Sequence, residues 1–321
     1  MMYAPLISAL VTLLISIILL SSKITKNIKD VPNERSLHET PTPRIGGVAL
    51  MAGILSGWAF MFHAPPLWIL LPLLLLFLLS LIDDVRSLSV KIRFSIHLIA
   101  AISVIWGEKL FDVNVLVAIG AILLIVWMIN LFNFMDGSDG LAGGMALFGF
   151  SVYGVAALMG GDDVLAMICF TIGASALAFL YFNFHPAQMF MGDSGSIPLG
   201  FLAASVGIVG WNGELWPVWF PVMVFAPFVL DATVTLIKRT VRGEKVWRAH
   251  REHYYQRLVQ SGIGHRNVAL IEYLLMIASG IGALWALQNS QALLAVMLIF
   301  SVIFGVIMVS LDYWWKVRQR A

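Results

Sequence analysis

Residues 130–144 read NLFNFMDGSDGLAGG, a glycine-rich turn that holds two carboxylates, Asp136 and Asp139, between two long apolar runs. The chain carries no Lys or Arg between Lys109 and Lys238, so no neighbour in sequence neutralises these acids. A cation must come from elsewhere. Gly137, Gly140, Gly143 and Gly144 tolerate positive φ or close backbone approach and leave amides free to face an anion. Negative charge beside open backbone suits a site for a magnesium diphosphate. A plain polar turn between two membrane helices would read the same way from this segment alone.

The flanking apolar runs decide the fold. Hydrophobic residues make up 60% of the 321 positions and charged residues 12%, with a mean hydropathy of +0.90. That is far more apolar than a soluble domain needs, and the apolar residues come in runs of membrane-spanning length. In lipid each backbone polar group must be satisfied within its own segment, and the short alternating segments of a barrel are absent. The sequence therefore predicts an all-α integral membrane protein, a single polytopic domain over residues 1–321. About eleven transmembrane helices are expected, at 4–21, 45–62, 66–82, 94–107, 115–132, 141–159, 164–182, 197–210, 216–237, 268–288 and 292–314. The first run lacks a basic leader and a small-residue cleavage site, so it reads as a retained span. The single Cys169 lies inside an apolar run and forms no disulfide framework.

Basic residues sort by connection. Lys23, Lys26, Lys29, Arg35 and Arg44 follow the first span, and Arg86, Lys91 and Arg93 follow the third. Lys238, Arg239, Arg242, Lys245, Arg248, Arg251, Arg257 and Arg266 follow the ninth, and Lys316, Arg318 and Arg320 form the tail. With eleven spans these 19 of 20 cations share one side, and only Lys109 lies opposite. The positive-inside bias then puts the N-terminus outside and the C-terminus in the cytosol. The loops 22–44, 83–93, 133–140, 183–196 and 238–267 gather on that cytosolic face. Nothing calls for a nucleic-acid partner.

Those loops collect the residues that can do chemistry. Asp83 and Asp84 close the third span, where two adjacent carboxylates repel each other and face the wrong end of the helix dipole unless a metal or proton uses them. Lys91 and Arg93 follow, placed either for an anion or for snorkelling to lipid headgroups. In NFHPAQMFMGDSGS, 183–196, Asp193 sits between Gly192 and Gly195 before the next span, where a carboxylate could hold a metal while free amides meet phosphate oxygens. The same Asp-Ser-Gly-Ser is also a good helix cap. Phe190 and Met191 offer an apolar wall. His250 and His253 are three apart, so on a helix they would share a face, with Arg251 beside them. No third zinc ligand follows, so an anion-binding role with Arg251 reads better than a metal. Asp231 lies within the ninth span, costly at that depth unless functional or paired.

Taken together, the stretches RSLHETPTPRIGG (35–47), Asp83-Asp84, NFMDGSDGLAGG (133–144), NFHPAQMFMGDSGS and the segment from His250 resemble the polyprenyl-phosphate N-acetylhexosamine-1-phosphate transferase superfamily. The resemblance implies transfer of a sugar-1-phosphate from a UDP-sugar to undecaprenyl phosphate at the cytosolic face of a bacterial inner membrane, with Mg2+ as cofactor and Mn2+ as a substitute. It implies Asp193 as the metal ligand with Asp136 beside it. The Asp83-Asp84 pair would handle the prenyl phosphate, one of them as a base, with Asp136 also in the catalytic set. Asn133, Asp139 and Phe190 would line the nucleotide site, and Arg44, Lys91, Arg93, His250, Arg251 and His253 the diphosphate and sugar. The HREH sequence from His250 is like the O-antigen-initiating branch and departs from the three consecutive histidines of the muramoyl-pentapeptide enzymes. Direct attack by the lipid phosphate and a covalent aspartyl intermediate both stay open, as does a homodimer. A secondary transporter of an anionic metabolite is the rival class, but internal repeats and midplane polar residues are missing. A CDP-alcohol phosphotransferase is a poorer match, since Gly143-Gly144 stands where that family needs Ala-Arg.

Overall fold

A computed structural model describes residues 1–22, 28–32, 36–38, 40–61, 63–245 and 250–318. Lys23, Lys26, Arg35, Arg248 and Arg320, which count in the charge sorting, lie outside the described residues. All the predicted spans are helical. They are α1 (Ala4–Ser21), α2 (Gly46–Ala59), α3 (Leu67–Val85), α4 (Val90–Gly107), the short α5 (Leu110–Val113), α6 (Val115–Met135), α7 (Leu141–Met159), α8 (Asp163–Asn183), α9 (Asp193–Asn212), α10 (Trp219–Val224), α11 (Ala226–Val241), α12 (Tyr254–Leu258), α13 (His265–Gln288) and α14 (Leu293–Arg318). Among the described residues the strands form a two-residue antiparallel ribbon, β1 (Lys29–Asp30) with β2 (Thr42–Pro43), and a single further bridge joins Arg44 to Phe190.

Among the described residues nine helices are long and apolar enough to cross a membrane, where the sequence suggested about eleven. Two of the predicted spans differ. Helix α2 has 14 residues, about 21 Å at 1.5 Å per residue and shorter than a hydrocarbon core of about 30 Å. The run 216–237 is broken at Phe225 (φ −100°, ψ 17°), just ahead of Pro227, whose missing N–H suits the first turn of α11.

Caps set where the helices begin. Asn114 Oδ1 accepts from the Leu116 N–H at 2.8 Å to start α6, and Asp162 Oδ1 accepts from the Leu165 N–H at 2.8 Å to start α8. At one end of the bundle the helices overrun the apolar stretches by a turn. Asp83 and Asp84 therefore lie in the last turn of α3, Lys91 and Arg93 in the first turn of α4, Asn133 in the last turn of α6, and Asp193 opens α9.

Helix α9 is the axis of the molecule. It is buried almost throughout and packs against α2, α3, α6 and α7. Gly200 brings it against α6, because a Cβ there would meet the Met128 carbonyl oxygen at 2.6 Å and the Ile129 Cα at 2.8 Å. That approach sets Asn133 of α6 beside the start of α9.

Candidate active site

Glycine at 192 makes the entry to α9 possible. Its φ is +72°, and a Cβ would meet Asp84 Oδ2 at 2.9 Å and the Arg44 Cγ at 3.0 Å. Into that space comes the Asp84 carboxylate from the end of α3, its side chain 2% exposed, accepting from the N–H groups of Asp193 and Ser194, each at 3.0 Å. Asp84 faces the wrong end of its own helix dipole but the right end of another's, so the cost expected from the sequence is offset by capping α9. Asp83 is also engaged: Oδ1 accepts from the Leu88 N–H at 2.6 Å and Oδ2 from Arg93 Nη1 at 3.2 Å.

Two arginines supply the cations that the central run lacks. Arg44 pairs with Asp193 and lies 3.4 Å from Asp84, while Arg93 Nη1 is 3.9 Å from the second oxygen of Asp193. Backbone bonds lock Arg44 in place. Phe190 N–H donates to the Pro43 carbonyl at 2.8 Å, Gly46 N–H to Phe190 at 2.9 Å and Gly47 N–H to Met191 at 2.8 Å. Asn133 Nδ2 donates to Asp193 Oδ1 at 2.9 Å and to Ser196 Oγ at 3.2 Å, so it steadies the aspartate.

Asp136, just past α6, is half-buried in the cleft beside Asp193. Burial pushes its carboxyl well above the usual carboxylate range; Arg44 opposes this, and Asp193 and Asp84 add to it. Asp139 is a fastener. Its Oδ2 accepts from His185 Nδ1 at 2.6 Å and the Ala187 N–H at 3.1 Å. His185 stacks on His265, their ring centres 5.6 Å apart, and His265 Nδ1 lies 2.9 Å from Ser138 Oγ. Phe190 walls the same cleft, with His38 edge-on at 4.9 Å.

Through Asn133 and Gln256 this cleft continues into a groove of about 610 Å³. Arg93, His97, His250 and His253 stand at its polar end, and Phe94, Leu123, Val126 and Trp127 line the apolar part. Asp231, 3% exposed, accepts from the N–H groups of Tyr254 and Tyr255 at 2.9 Å each and lies 3.2 Å from His253 Nδ1. A carboxylate only accepts, so Nδ1 is the donor in this contact. Burial, His253 and Arg239 push the His250 imidazole down to about 4.

The structure thus brings Arg44, Asn133, Asp136, Asp139, Phe190 and Asp193 to one cleft, with Arg93, His250 and His253 on its groove; Asp83 and Asp84 line neither but bond to Arg93 and to the Asp193 N–H. Two expected members stand apart. Lys91 is exposed and lines neither cavity, and Arg251 lines a different one. Sequence reasoning missed His185, His265, Gln256 and His97. Only His97 carried a signal, four residues after Arg93 and so on the same helix face.

A magnesium ion fits the donors present. Among the described residues no three acids or histidines form a metal cluster. Magnesium keeps waters and substrate phosphate oxygens, however, so one or two protein carboxylates suffice. Asp193 Oδ2 lies 3.9 Å from Arg93 Nη1, and Asp136 lines the same cleft, so both could contribute an oxygen.

Paired carboxylates and arginines gather at one end of a bundle whose helices are long and apolar enough for a multi-pass membrane protein. Residues 66–211 match the glycosyl transferase family 4. Over 317 residues the chain is 29% identical to the Bacillus subtilis (strain 168) protein named "Probable undecaprenyl-phosphate N-acetylglucosaminyl 1-phosphate transferase", covering 94% of this chain and 88% of that one. It is 32% identical to the decaprenyl-phosphate N-acetylglucosaminephosphotransferase of Mycobacterium tuberculosis (strain ATCC 25618 / H37Rv), covering 86% and 80%. To the undecaprenyl-phosphate alpha-N-acetylglucosaminyl 1-phosphate transferase of Escherichia coli (strain K12) it is 26% identical, covering 92% and 88%. The chain belongs to the polyprenyl-phosphate N-acetylhexosamine-1-phosphate transferase superfamily.

Proposed function

We propose that the protein transfers an N-acetylhexosamine-1-phosphate, or its 6-deoxy counterpart, from a UDP-sugar to undecaprenyl phosphate. The products are undecaprenyl-diphospho-sugar and UMP, formed at the cytosolic face of a bacterial inner membrane as the first step of O-antigen or related glycan synthesis. The supporting observation is the cleft in which Arg44 and Arg93 converge on Asp193, opening onto a groove that turns apolar within a few residues. One end suits a nucleotide diphosphate and the other a lipid anion.

An oxygen of the lipid phosphate attacks the sugar-bearing phosphorus, a new phosphoanhydride forms, and the bond to the UMP phosphate breaks. One anhydride replaces another, so no ATP is required. Bringing two anions together is the main obstacle: a pair of unit charges 4 Å apart repels by about 4 kcal/mol in a surface-like medium. Arg44 and Arg93 offset that repulsion, with His250 and His253 oriented along the groove. Mg2+, with Mn2+ as a substitute, would sit on Asp193 and Asp136 and screen the diphosphate. Phe190 would lie against the base. Asp83 and Asp84 are both engaged by backbone amides, which favours direct attack over an intermediate on either.

The test is UMP release by purified protein with undecaprenyl phosphate and a panel of UDP-N-acetylhexosamines. Release with at least one donor, abolished by EDTA and restored by Mg2+, is expected. No release with any of them would overturn the reading.

A further inference from the structure

The turn before α12 presents residues to two cavities. His250 and His253 line the catalytic groove, whereas Arg251 and Glu252 line a second cavity of about 660 Å³. Helix α11 contributes Lys238 and Arg242 to it, α12 contributes Arg257, and α14 contributes Asp312, Trp315 and Lys316.

Five cations line this cavity against two carboxylates, an excess of three positive charges. Both acids are already neutralised in the wall. Asp312 pairs with Lys238 and with Arg257 Nη1, the latter at 2.9 Å, and Glu252 pairs with Arg242. Arg251 and Lys316 are exposed and make no ion pair among the described residues. On a soluble protein two free cations would be an ordinary solvated face. Here Ile237 and Val241, 56% and 82% exposed on α11, also line the cavity. Exposed apolar residues on a membrane helix face hydrocarbon, and Trp315 is of the type that sits at headgroup level.

We propose that this cavity binds the headgroup of an anionic glycerophospholipid, its phosphate on Arg251 and Lys316 and its acyl chains along Ile237 and Val241. Excess positive charge meets the phosphate while the apolar rim meets the chains, a combination that a soluble anion would not need. The site does not depend on the transfer reaction, so it can stand or fall separately from the proposed activity.

The test uses the full-length protein in phosphatidylcholine nanodiscs doped with phosphatidylglycerol, with retained lipid read by native mass spectrometry after detergent exchange. The wild type is expected to retain phosphatidylglycerol in preference to phosphatidylcholine, and inorganic phosphate should not displace it. Arg251→Ala with Lys316→Ala should lower retention by about thirtyfold, from roughly 1 kcal/mol for each of the two cations near a membrane surface. The charge-keeping pair Arg251→Lys with Lys316→Arg should keep it. No lipid preference in the wild type, undiminished retention by a folded alanine pair, or displacement by inorganic phosphate or by undecaprenyl phosphate would each overturn the proposal.

Discussion

Replacing Asp84 by Asn exchanges one carboxylate oxygen for an NH2 group, and so separates a structural role from a chemical one. In the wild type its two oxygens serve two N–H groups at the start of α9, each at 3.0 Å, with Arg44 3.4 Å away. Hydrogen bonds to a charged acceptor contribute about 1.5–3 kcal/mol each, and a buried donor left unpaired costs about 1–3 kcal/mol. The single oxygen of Asn can satisfy one amide, while its NH2 confronts the other. Loss of the carboxylate at the helix N-terminus adds about 0.3–1 kcal/mol. The low ends sum to about 3 kcal/mol, or a fall of at least roughly 6 °C in apparent Tm at about 2 °C per kcal/mol for a large chain. Asp136→Asn should differ, since burial already favours the uncharged form there, and its Tm should stay near that of the wild type while UMP release is lost. Thermal unfolding of both purified variants in one detergent, monitored by size-exclusion chromatography, makes the comparison. An Asp84→Asn protein with wild-type Tm and no activity would refute the capping role and leave a purely chemical one.

Two further outcomes follow from the histidine turn. Asp231→Asn frees the His253 ring and should slow transfer about 10–100-fold, as loss of an orienting carboxylate does elsewhere; the double variant with His253→Gln should be no slower than His253→Gln alone. Multiplicative losses in that cycle would show that Asp231 acts through some other group. Because the folded His250 titrates near 4 while an unfolded histidine titrates near 6.5, the unfolded state binds the extra proton first as pH falls. Wild-type Tm should therefore drop between about pH 6.5 and 4, and His250→Gln should flatten that part of the profile; an unchanged slope would contradict the assignment.

How far the sequence reached depends on the range of the interactions. Spans came from local apolar runs, and many of the candidate site residues from acids and arginines at the ends of those runs. The break at Phe225 had a local signal in Pro221 and Pro227, but the run 216–237 is apolar enough to mask it. Asp139 is the instructive case. It looked like a free carboxylate in a glycine-rich turn, yet its partners His185 and His265 lie 46 and 126 residues further along the chain. No periodicity links them. Arg251 shows the converse, since a histidine pair three apart fixes which residues share a face but not which cavity the residue between them joins. The capping role of Asp84 was not readable, because the amides it serves belong to a helix more than a hundred residues away.

The central claim is that an acid from the start of α9 works with carboxylates and arginines drawn from distant segments to bring two phosphates together. UMP release by folded, membrane-inserted Asp193→Asn protein, assayed with undecaprenyl phosphate, the preferred UDP-sugar and saturating Mg2+, addresses it most directly. The account predicts turnover about 100- to 1,000-fold below the wild type, the range seen when one group that stabilises developing charge is removed. Near-normal release by that variant would contradict it.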